Sequence, residues 1–126
     1  MPGVSKAAFW IGWILCILPA GLLLFSASGK FMMPPEAKEG FAHLGWPTSA
    51  AIPLGITEVA CVLFLLIPRT AVLGAILLTG YMGGAIATHA RIGEPFIVQA
   101  LLPIVVWVGL YLRDPRLRQL APLRSL

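Results

Sequence analysis

Long apolar stretches broken by short polar ones dominate this chain: residues 7–29, 44–57 continuing as 59–68 after Glu58, 70–88 and 95–112. Each is close to the roughly 20 residues that carry a helix across about 30 Å of hydrocarbon. The pattern predicts one four-span domain over 1–126, with spans at 7–29, 48–67, 70–89 and 95–112 and a basic tail at 113–126. The break at Pro68-Arg69 is so short that spans two and three must form an antiparallel hairpin. Residues 30–48 are the long connection, in which Pro34-Pro35-Glu36 signals a helix start and Ala37, Phe41 and Leu44 share one face. That predicts a short interfacial helix anchored by Trp46. The expected fold class is therefore all-α: a polytopic four-transmembrane-helix bundle with an interfacial helix between spans one and two.

Composition sharpens the picture. A chain that is 59% hydrophobic and 11% charged is too apolar for a soluble domain of its size. The net charge of +4 comes from residues scattered at span ends, not clustered on one face, so nucleic acid is not an expected partner. With Lys6, Arg69, Arg113, Arg116, Arg118 and Arg124 on one side, only Lys30, Lys38 and Arg91 are left for the other. The positive-inside rule then puts both termini in the cytoplasm of a multi-pass cell-membrane protein. Ser26-Ala27-Ser28 has the small residues of a signal-peptide cleavage site, but the apolar run before it is too long, so an uncleaved first span is expected. Trp10, Trp13, Trp107 and Tyr111 fall where an aromatic belt on the cytoplasmic side is expected. Gly80 and Gly84 form a small-residue pair expected to pack span three against a neighbour. Cys16 and Cys61 have no metal or redox spacing and read as small core residues, although their depths would also allow a pair.

Glu58 is the residue that demands an explanation, because an acid in mid-span needs a partner, a proton or a water-filled cavity. Counted inward from Ser49, it lies about 14 Å deep at 1.5 Å per residue, and counted from Thr70 at the opposite boundary, Tyr81 lies about 16 Å deep. The two are level, which makes Tyr81 the expected hydrogen-bond donor; Thr57 and a backbone carbonyl are the other local partners. Ser26, Ser28, Thr88, His89 and Gln99 fall in the outer half, with Lys30 and Arg91 at its rim, while the inner half is nearly all apolar. This asymmetry predicts a cavity open outward and floored by Glu58. The ligand-binding candidates are Glu58, Tyr81, His89, Lys30, Ser26 and Gln99. Lys30 and Arg91 have snorkelling to the interface as their plain alternative, and His89 either bridges toward Glu58 or caps span three. There is no phosphate-cradling loop, nucleophile triad or metal-ligand spacing, and no cofactor is identifiable. If a reaction is carried, Glu58 is its candidate catalytic residue.

In order along the chain stand Ser28-Gly29-Lys30, Gly45-Trp46-Pro47, Leu54-Gly55-Ile56-Thr57-Glu58, Leu66-Ile67-Pro68-Arg69, Gly80-Tyr81 and Tyr111-Leu112-Arg113. Together they make the chain resemble the DoxX-like family of small four-span membrane proteins. The resemblance implies a four-helix membrane bundle. The family's namesake is a small subunit of a thiosulfate:quinone oxidoreductase, and the wider group includes proteins resembling assembly factors. Two readings follow. One is a non-catalytic binding or accessory module whose cavity holds a small lipophilic molecule, or which supports a membrane partner or a homo-oligomer. The other is a quinone-linked oxidoreductase subunit with Glu58 as proton acceptor and quinone as the cofactor.

Overall fold

A computed structural model of the protein describes residues 4–120, and these are helical throughout apart from short connections. Helix α1 (Lys6–Met32) begins where the Ser5 hydroxyl accepts the Ala8 N–H at 3.1 Å. It ends as Met33 turns left-handed and Pro34 forbids continuation. Pro35 opens the short helix α2 (Pro35–Leu44), which Gly45 closes at φ 80°. A 3-10 turn at Thr48–Ala50 leads into α3 (Ala51–Leu66), and a second at Pro68–Thr70 leads into α4 (Ala71–Ala90). The chain then forms α5 (Ile97–Arg113) and α6 (Pro115–Leu120).

Helix α1 packs on α3 and α5, and α4 packs on the same two, so the four long helices close a ring in the order α1, α3, α4, α5. Small side chains bring them together. A Cβ on Gly12 would lie 2.5 Å from the Gly109 carbonyl oxygen, and one on Gly74 would lie 2.3 Å from the Leu65 nitrogen. Cys16, Ala20, Ala75 and Cys61 fill the axis beside Leu65, Leu78, Val106 and Leu110. Large apolar residues face outward on every side; Phe25 is 80% exposed and Ile97 68%. A bundle that is small inside and bulky outside has chosen an apolar surrounding, where close backbone contact holds helices together. By length and composition α1, α3 with its entry turn, and α4 can each cross a membrane.

Several expectations need correction. Helix α5 starts at Ile97, not Pro95, and its 17 residues reach about 26 Å, short of the usual span. Gly80 and Gly84 meet nothing where a Cβ would sit; the close approach between α3 and α4 is made by Gly74. Trp107 has a partner within the bundle: its indole N–H donates to Thr79 Oγ1 at 2.8 Å, joining α5 to α4. The tail is not a simple basic extension, since α6 folds back and buries Leu117, and Arg118 Nε donates to the Tyr111 carbonyl at 2.6 Å. Arg124 and the rest of 121–126 lie outside the described residues. Cys16 and Cys61 are both buried and free; the Cys16 thiol points at the Val106 carbonyl, 3.8 Å away.

Candidate functional site

Helix α3 carries Glu58 on its inner face, one turn beyond Gly55, and the residue is 1% exposed. A Cβ on Gly55 would already lie 3.0 Å from the Phe31 ring and 3.4 Å from Lys30 Cβ. The missing side chain therefore lets the end of α1 settle on α3. Lys30 consequently turns into the bundle, and its Nζ lies 2.9 Å from Glu58 Oε2 and donates to Ser26 Oγ at 2.8 Å. The Tyr81 hydroxyl donates to the same Oε2 at 3.3 Å. Neither contact engages Oε1, and two of the three lysine donors are used.

This cluster floors a cavity of about 560 Å³, within the range of small-molecule sites. Ser26, Lys30, Glu58, Tyr81, His89 and Gln99 all line it, with Thr88, and apolar walls come from Leu22, Leu54, Met82 and Leu102. Phe41, Leu44 and Trp46 close it over from α2 and the turn that follows. That roof is tied down from outside the cavity. The Arg91 guanidinium donates to the Leu44 carbonyl and lies 6.0 Å from the Trp46 ring, and His43 pairs with Glu94. At the opposite end of the ring, the Gly12–Gly109 and Leu65–Gly74 contacts leave the helices no room to part.

The structure redistributes several of the polar groups expected at the site. His89 does not reach Glu58; its Nδ1–H donates to the Ala85 carbonyl at 2.8 Å, and Nε2 faces Gln99 Nε2 at 3.5 Å. Thr57 donates to the Pro53 carbonyl and Ser28 to the Phe25 carbonyl, so both satisfy their own helices. Lys30 does not snorkel outward, and it is the partner that local reasoning about Glu58 had overlooked. Its signal lay in Gly55, three positions before the acid. Chemically, the floor is a pair of opposite charges with one acceptor and one donor to spare.

The DoxX-like family model matches residues 14–112, which includes all four long helices in whole or in large part. The chain belongs to the DoxX-like family. No curated protein and no solved structure matches it. Family membership and the outward-facing apolar helices together make this DoxX-like protein a membrane protein. The matched segment contains the Lys30, Glu58 and Tyr81 cluster.

Proposed function

We propose that this DoxX-like protein is a non-catalytic binding module. Its four long helices cross the membrane with both termini cytoplasmic, and its cavity, on the outer side, holds a small lipophilic molecule. One observation carries the reading: a 560 Å³ space with mostly apolar walls converges on a buried Lys30–Glu58 pair that keeps hydrogen-bonding capacity unused. A pair serving stability alone gains nothing from lining an open space, since apolar residues of like volume are often as stable. Lys30 and Glu58 orient a polar group, Tyr81 holds the carboxylate in position, and the walls take the apolar remainder. The six-to-three division of cations supports the orientation. On it, α2 lies at the outer interface with Trp46 at headgroup depth. Helix α5 accommodates its shortfall of about 4 Å at fractions of a kcal/mol per Å.

The test is organic extraction and mass spectrometry of protein purified in lipid nanodiscs, compared with Ala85→Phe, which adds a ring at the cavity wall without altering Lys30 or Glu58. One neutral lipophilic species retained by the native protein and lost from the folded variant is expected. A quinone in that fraction would assign the molecule to the redox reading. Identical, purely bulk-lipid extracts from both would overturn the proposal.

A further inference from the structure

Between α1 and α5, beside the cavity, lies a second and smaller recess. A groove of about 220 Å³ is lined by Leu18 and Pro19 on one helix and Leu101 and Val105 on the other, and it shares Leu22, Val98 and Leu102 with the cavity. All of these side chains are apolar. Leu18, Leu22, Val98 and Leu101 are each at least half exposed on the surface that faces hydrocarbon. The same helices touch backbone to backbone at Gly12 and Gly109, and Cys16 meets Val106 one turn further on. In that register Pro19 and Pro103 sit level with each other, each removing a backbone donor and loosening its helix at one height. The helices are thus tightly packed at the Gly12–Gly109 end, and the groove lies at the level of the prolines, where Leu22, Val98 and Leu102 border both it and the cavity.

Resting on the binding reading above, we infer that the occupant enters sideways from the bilayer between α1 and α5. It is an amphiphile with one hydrocarbon chain and an uncharged head that both donates and accepts hydrogen bonds. Charge selects the head: Lys30 and Glu58 neutralise each other, so an ionic head would leave one charge uncompensated in a mostly apolar site. A hydroxyl fits, accepting from the free Lys30 N–H and donating to Glu58 Oε1. The groove selects the tail, because it has no polar residue and leads into lipid, not toward the aqueous side.

The experiment uses the native protein in phosphatidylcholine vesicles and a long-chain primary alcohol bearing a photoreactive diazirine near its chain end. Crosslinked peptides are mapped with and without a tenfold excess of the plain alcohol. Labelling at Leu18, Leu22, Leu101 and Val105 that falls about tenfold under competition is expected from mass action. Competed labelling on α2 or α4 instead would overturn the lateral portal and leave the cavity standing as a binding site. Labelling that competition does not reduce anywhere would overturn the portal together with the binding reading beneath it. A long-chain carboxylate that competes as well as the alcohol would overturn the uncharged head alone.

Discussion

Removing either member of the Lys30–Glu58 pair should have unequal consequences, because the two side chains are unequally buried, at 17% and 2% exposure. At 2.9 Å and an effective dielectric of about 20, their attraction is about 6 kcal/mol, offset by the cost of taking both charges out of water. Lys30→Met leaves the buried carboxylate without its cation and is expected to cost about 3–5 kcal/mol. Glu58→Gln leaves a lysine that can swing its ammonium toward the rim, at an expected cost of about 1–2 kcal/mol. The double variant removes both charges and should lie within about 2 kcal/mol of the native protein, since a buried pair exchanged for neutral groups is often nearly neutral. The assay is reversible unfolding in mixed micelles, followed by far-UV circular dichroism and analysed as a double-mutant cycle. A coupling of at least about 2 kcal/mol is expected. Single-variant costs that add to within about 0.5 kcal/mol, or equal costs for the two singles, would refute the geometry.

Further outcomes follow from the same contacts. Gly55→Val puts methyl groups against Phe31 and Lys30 and should push α1 off α3; about 1–3 kcal/mol of lost stability in the same assay is expected, together with loss of the Lys30–Glu58 coupling. Tyr81→Phe removes one long hydrogen bond and should cost only about 0.5–1.5 kcal/mol, with the Lys30–Glu58 coupling retained. Gly109→Leu must part α1 from α5 at their closest contact, so its melting temperature should fall well below that of Gly84→Leu, whose Cβ meets open space. Equal melting temperatures for those two would contradict the sealed end of the bundle.

Much of this arrangement was readable because helical rise is fixed and the Pro68-Arg69 turn is short. Together these put Glu58 and Tyr81 at one depth, and their oxygens lie 3.3 Å apart. Lys30 was harder to place, since a long side chain at a helix end can reach either out or in. The choice is made by Gly55 on a different helix, which no local pattern in α1 records. The spacing of Gly80 and Gly84 shows that they share a face but not which neighbour it meets, and here it meets open space. Trp107 was partly legible for a related reason, because its place near the end of α5 does not show that Thr79 on α4 satisfies its indole. The roof was half legible: periodicity put Phe41 and Leu44 on one face, but only the fold shows that this face closes a cavity.

The most direct measurement is an experimental structure in lipid, read at the space bounded by Lys30, Glu58 and Gln99. The account predicts Glu58 directed into the bundle within hydrogen-bonding distance of Lys30, beneath elongated density whose head meets that pair and whose chain leaves between α1 and α5. Glu58 turned out among lipid tails, or side chains closing the space entirely, would contradict it.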